Sequence, residues 1–155
     1  MLAKPNTIAT PDEARRFLDA NPSVEFVEMI FTPLSGVPRG KRLRRHEVLP
    51  IYEFGRFLPG SILVSDITGQ DCSDTGLVWE DGDADRIAKP APGTLVLAPW
   101  LGGQAAQVIT SLYELDCAPS DLDPRDILSQ VVDRFGADGL VPVVACEVEF
   151  YLTDT

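Results

Sequence analysis

Two glutamates, Glu147 and Glu149, interrupt the apolar run VVACEVEFYL near the end of the 155-residue chain. In a strand, alternation puts Val143, Ala145, Glu147, Glu149 and Tyr151 on one face and Val144, Cys146, Val148, Phe150 and Leu152 on the other. Carboxylates at i and i+2 start about 6.6 to 6.8 Å apart and can close to roughly 4 to 5 Å. There they repel by roughly 3 to 4 kcal/mol at an effective dielectric of about 20. Solvent, a proton held at a raised pKa, a basic neighbour or a cation can offset this repulsion. A hard cation such as Mg²⁺ or Mn²⁺, bound through carboxylate oxygens, is the chemically productive arrangement. The alternative is a solvent-facing side of a strand that binds nothing.

Asp66 lies at the end of the strand-like run SILVSDI, one residue ahead of TGQD, where an aspartate either caps a turn or edges a pocket. The stretch WEDGDADRIAKPAPGT alternates Asp81, Asp83 and Asp85. It lacks the glycine and terminal glutamate of an EF-hand loop, so a solvated turn is expected. The basic run at residues 39–45, RGKRLRR, carries Arg39, Lys41, Arg42, Arg44 and Arg45. It could grip phosphate or an acidic surface, and the reading preferred is a hairpin arm whose charged face pairs with acidic surface in an assembly. His46 is the only histidine, and neither a nucleophile elbow nor a G-x-x-x-x-G-K loop accompanies it.

A formal charge of −11 argues against nucleic acid or anionic membrane as a partner. Cys72, Cys117 and Cys146 match neither a zinc spacing nor a disulfide framework, which suggests reduced thiols in the cytoplasm. The N-terminus has no apolar signal core, and no run reaches the roughly 18 residues of a membrane span.

The elements that must position these residues read as an α+β fold. Thr10, Pro11 and Glu13 start a helix over 11–20 with a capping box, closed by Asn21 and Pro22. SVEFVEMIFT alternates as a strand entering a hairpin, whose second arm lies near 37–46. HEVLPIYEF is weakly helical, SILVSDI reads as a strand, and turn residues dominate up to residue 93 around one or two short strands. TLVLAPWL and AQVITSLYEL alternate as two further strands. Asp123 and Pro124 then start a helix with Ile127, Leu128, Val131, Val132 and Phe135 on one stripe and Gly136 at its end. Three units are expected: a lead-in helix (1–22), a mixed or antiparallel sheet with short helices (23–118), and a linker helix with an opening strand (119–155).

In this order, RGKR, LVSDITGQD, WEDGDADRIAKPAPGTLVLAPW and ACEVEFYL resemble the N-terminal part of the glutamine synthetase family, especially its γ-glutamyl-amine ligase relatives. The resemblance runs from residue 24 to the end and implies a β-grasp domain ahead of a larger catalytic domain that the E-x-E strand opens. It implies that Glu147 and Glu149 ligate Mg²⁺ or Mn²⁺, one at each of two neighbouring sites. ATP would activate glutamate as γ-glutamyl phosphate, for attack by ammonia or a small amine, within a homo-oligomeric ring. Asp66 matches the aspartate of a D-G-S-S segment that, in the family, reaches a neighbouring subunit's site and helps bind and deprotonate ammonium. Here Ile67, Thr68 and Gly69 replace the glycine and serines, which fits a larger amine better than ammonia.

The other metal ligands, the ATP cleft and the glutamate site of the family lie beyond residue 155, so the chain alone is expected to be inactive. Residues 140–155 are expected to be poorly packed or in a non-physiological contact. A stand-alone β-grasp interaction module is the competing reading, disfavoured because such a module has no use for a helix and an acid-bearing strand after its sheet.

Overall fold

The computed structural model describes residues 7–154; residues 1–6 of the lead-in and residue 155 of the terminal segment lie outside the described residues. In chain order come α1 (Pro11–Ala20), β1 (Phe26–Phe31), β2 (Arg39–Arg44), α2 (Arg45–Phe54), β3 (Arg56–Pro59), β4 (Asp85–Pro90), β5 (Val96–Leu97), β6 (Ala105–Tyr113) and α3 (Pro124–Ala137). The strands form one sheet in the order β2-β1-β6-β4-β3, with β5 beside β6. β1 and β6 run parallel, and every other pair is antiparallel. This is the mixed α+β sheet with few helices that the sequence indicates.

Alternation in β1 works as expected: Val27, Met29 and Phe31 are buried, alongside Leu43 of β2 and Ala106, Val108 and Leu112 of β6. Val48, Ile51 and Tyr52 of α2 complete this core. On the other face, Glu28 opposes Arg42, whose Nη2 lies 2.6 Å from Glu28 Oε1. Gly40 is required in β2, because a Cβ there would overlap the Met29 carbonyl.

Several expectations need correction. α1 is capped differently: the Thr10 side chain makes no cap bond, and Glu13 Oε1 instead accepts the Gly93 N–H at 3.0 Å. The run SILVSDI is not a strand. The strand ends upstream at Pro59, and Gly60–Leu63 form a 3-10 turn. Gly60 N–H donates to the Ala84 carbonyl and Ser61 N–H to Asp83 Oδ1, so the turn sinks Leu63 into the core without a ladder. In TLVLAPWL only Val96–Leu97 pair, because Pro99 starts a further 3-10 turn.

The segment 140–154 carries neither helix nor strand, and its apolar residues are exposed, Val143 at 92%. A strand is stable only with a ladder partner, and none of the described residues pairs with this one. The stripe on α3 is likewise uncovered: Ile127, Leu128, Val131 and Phe135 are 41–61% exposed, whereas Asp126 and Ser129 are buried.

α3 is fastened to the sheet through Asp123. This residue is 2% exposed, its Oδ1 accepts the Arg125 N–H at 2.8 Å as a helix cap, and its Oδ2 accepts the Leu112 N–H of β6 at 2.5 Å. Burial outweighs both bonds and raises the Asp123 pKa.

Removal of this carboxylate strands a buried N–H and deletes a cap. Asp123→Ala should therefore lose about 2–4 kcal/mol of stability, read from urea unfolding. Because the folded pKa is raised, the carboxyl's favourable contribution is complete below the ordinary carboxylate pKa and disappears as pH rises through the raised value. Asp123→Asn, which mimics the neutral form, should gain on the wild type as pH rises through that window; a constant difference across pH would contradict this.

Candidate functional site

The loop that follows the 3-10 turn is built around Asp66. Its main chain closes on itself, with Asp66 N–H donating to the Gln70 carbonyl and Gly69 N–H donating to the Asp66 carbonyl, both at 3.0 Å. Asp66 Oδ1 accepts three bonds from within the same turn: Thr68 N–H at 2.8 Å, Thr68 Oγ1 at 2.7 Å and Gln70 N–H at 2.9 Å. The sequence offered turn cap and pocket edge as alternatives, and the turn cap is what the geometry displays. These bonds, foremost that from the Thr68 hydroxyl, hold the Asp66 carboxyl below its ordinary pKa and keep it anionic.

The loop is anchored from across the chain. Arg39 Nη2 donates to the carbonyls of Asp66 and Ile67 at 3.1 and 3.0 Å. Next to this contact lies an open cleft of about 500 Å³, lined among others by Arg39, Lys41, Ser65, Gly69, Asp71 and Asp83. Asp81 and Asp83 are more engaged than a solvated turn would be. Asp81 Oδ2 pairs with Arg86 Nη1 at 2.8 Å, Asp83 caps Ser61, and Arg86 Nε also lies 3.0 Å from Glu114 Oε2 as an ion pair.

The basic run divides by role. Arg45 is no surface charge: its guanidinium donates to the carbonyls of Leu18, Asn21 and Val24 at 2.6, 2.8 and 3.0 Å, capping the end of α1. Arg42 pairs with Glu28, and Arg39 holds the Asp66 loop. A hairpin arm with one charged face therefore overstates what is free for a partner. The uses of Arg39 and Arg45 were illegible in the sequence because their acceptors are main-chain carbonyls more than 20 residues away.

Glu147 and Glu149 lie on the exposed segment after α3. Among the described residues, no three His, Cys, Asp or Glu side chains come together as a cation site, so the structure does not join the glutamates to Asp66. Two carboxylates suit a hard divalent cation in donor type, but they leave most of its six or more ligand positions unfilled.

No protein-family model matches the chain. The gamma-glutamylputrescine synthetase of Escherichia coli is 34% identical over 146 residues, which are 94% of this chain and 31% of that protein. A glutamine synthetase of Pyrococcus abyssi is 30% identical over 133 residues, 86% of this chain and 27% of that one. A glutamate–isopropylamine ligase of a Pseudomonas species is 26% identical over 148 residues, 90% of this chain and 30% of that one. The chain thus spans between 27% and 31% of the length of these curated relatives. Among solved structures, a GmaS/ADP complex superposes with a TM-score of 0.62 at 22% identity, covering 83% of this chain and 26% of that one, which speaks for a shared fold.

Asp66→Ala should release the Thr68 and Gln70 amides without unfolding the sheet. In the wild type, the depressed Asp66 pKa means that the turn bonds are intact above the ordinary carboxylate pKa and are lost as pH falls through the lowered value. NMR titration of the Thr68 and Gln70 amide shifts checks both statements, and a midpoint at or above the ordinary carboxylate value would contradict the second.

Proposed function

We infer that this chain, a relative of the glutamine synthetase family over most of its length, is the N-terminal part of an ATP-dependent ligase that joins the γ-carboxylate of glutamate to ammonia or a small amine. The observation that carries the reading is the 34% identity over 94% of the chain to a gamma-glutamylputrescine synthetase. The similarity to a glutamate–isopropylamine ligase supports the same class.

On this reading residues 1–22 lead in, 23–118 form a β-grasp domain, and 119–155 supply a linker helix and the opening strand of a catalytic domain. Strands from that domain would give residues 143–152 their ladder and put Glu147 and Glu149 on one face. The two carboxylates would then help hold Mg²⁺ or Mn²⁺, with the remaining ligands from outside this chain. The charge of such ions would favour phosphoryl transfer from ATP to the γ-carboxylate.

Asp66 is the candidate catalytic residue for the acceptor amine, reaching a neighbouring subunit's site in a homo-oligomeric ring. An anionic carboxylate next to Ile67, which is 72% exposed, suits an ammonium group that carries an alkyl chain. The chain alone would be inactive, since no cluster among the described residues closes a metal site. Its charge of −11 speaks against nucleic acid or membrane as partners. No helix among the described residues is long and apolar enough to cross a membrane, and the cysteine pattern fits a cytoplasmic location.

Calorimetric titration of Mg²⁺ and Mn²⁺ into this chain, and into a version extended through the expected catalytic domain, tests the reading. Tight binding is expected only in the extended protein, and should disappear in both Glu147→Ala and Glu149→Ala. Binding that ignores both substitutions, or is absent from the extended protein, would favour the interaction module instead.

A further inference from the structure

We propose that Arg39 is a positioning residue, whose guanidinium fixes the 66–70 turn against β2 and so sets where the Asp66 carboxylate points. Three observations meet at this contact. The Asp66 carbonyl is shared: it accepts the Gly69 N–H that closes the turn and the Arg39 Nη2 that holds it, at 3.0 and 3.1 Å. A second bond to the Ile67 carbonyl at 3.0 Å makes the contact a clamp over two successive peptides, which one lysine ammonium cannot match in planar geometry.

Gly69 forms the seat. Its φ is +90°, a conformation that L side chains rarely adopt, and a Cβ there would come within 2.8 Å of Arg39 Nη1. The loop backbone and the guanidinium are thus fitted to one another at the closest approach glycine allows. Meanwhile Arg39 Nε is buried without a hydrogen-bond partner. The group's placement therefore follows the loop carbonyls and not its own full satisfaction.

The consequence is a stiff wall to the cleft. Arg39 and Gly69 both line it, and Lys41, Asp71 and Asp83 are the other charged groups there. The Lys41 side chain makes no ion pair or hydrogen bond among the described residues, so the clamp separates the basic run into a member that shapes the loop and one that faces solvent. The functional meaning of the clamp rests on the ligase reading of Asp66, but the clamp itself is tested on the loop.

In the 155-residue chain, Arg39→Ala should accelerate hydrogen exchange at the Thr68, Gly69 and Gln70 amides by roughly tenfold or more, with the Val108 and Leu112 amides unchanged. The Asp66 Cγ titration midpoint should move up toward the ordinary carboxylate value, a signature that general loss of stability would not give alone. Arg39→Lys should restore part of the protection. Arg42→Ala, which breaks the pair with Glu28, should leave the loop as it is. If Arg39→Ala fails to fold, Arg39→Lys carries the test, with faster loop exchange over an unchanged core expected. Loop exchange and Asp66 titration unaltered in Arg39 variants, or altered equally by Arg42→Ala, would overturn the proposal. A clamp that behaves as stated, in an extended enzyme whose turnover ignores Asp66→Ala, would leave the clamp standing and remove the ligase role of Asp66.

Discussion

Parallel strands cannot be joined by a tight turn, so pairing Phe26–Ile30 with Ala105–Ile109 obliges the intervening chain to leave the sheet at one end and return at the other. Everything between β1 and β6 is fitted into that crossover: the β2 arm, α2, the strands β3, β4 and β5, and the turns and loops that join them. β6 then serves both edges of the sheet's centre. One edge faces β1, and the other is divided between β5 at Ala106 and Gln107 and β4 at Thr110–Tyr113. The Asp66 loop is placed by this arrangement, because the turn that precedes it hangs from the end of β3 and is tied to residues just before β4.

A crossover so rich in irregular backbone leaves many carbonyls without ladder donors. Guanidinium groups supply them. Arg39 serves two in the Asp66 loop and Arg86 donates to the Ala84 carbonyl while pairing with Asp81, and Arg45 reaches out of the crossover to three carbonyls around the end of α1. Planar, permanently charged forks suit this task, since several donors reach separate acceptors from one side chain. In a chain of net charge −11, arginines committed inward leave a surface more acidic than the basic run RGKRLRR suggests.

Local signals were legible where they coincide with burial. Val27, Met29 and Phe31 announce β1 by alternation, Pro11 starts α1, and Asp123 with Pro124 starts α3. SILVSDI misleads because Ile and Val satisfy burial equally well in a tight turn, and what decides between turn and ladder is the Gly60 contact with Ala84, a residue 24 positions on. The VVACEVEFYL run is exposed, in keeping with the poor packing expected of residues 140–155, and the stripe on α3 is uncovered as well. Their patterns are those of buried elements, yet the described residues offer no surface to cover them. For the site, the sequence picked out Asp66, Glu147 and Glu149, whereas Arg39 was hidden because its role is written in bonds to main-chain atoms, which have no residue signature.

The two groups of acids differ in how they acquire geometry. Asp66 is organised from within: bonds from a five-residue turn and a threonine hydroxyl hold its carboxylate, and one arginine holds the turn's carbonyls. Glu147 and Glu149 have no such local support, and only strand formation would place them on one face at a separation a cation could bridge. An isolated strand gains too little to order itself, so on the ligase reading their arrangement would come from a sheet that accepts the strand. The same association would bring the carboxylates together and create the repulsion that bound cations relieve. On the ligase reading, formation of the metal site and docking of this segment are then a single thermodynamic event, with the cation stabilising the docked strand by its preference for the paired glutamates. Asp66 stands outside that coupling, already formed and anchored by Arg39 before any strand is added.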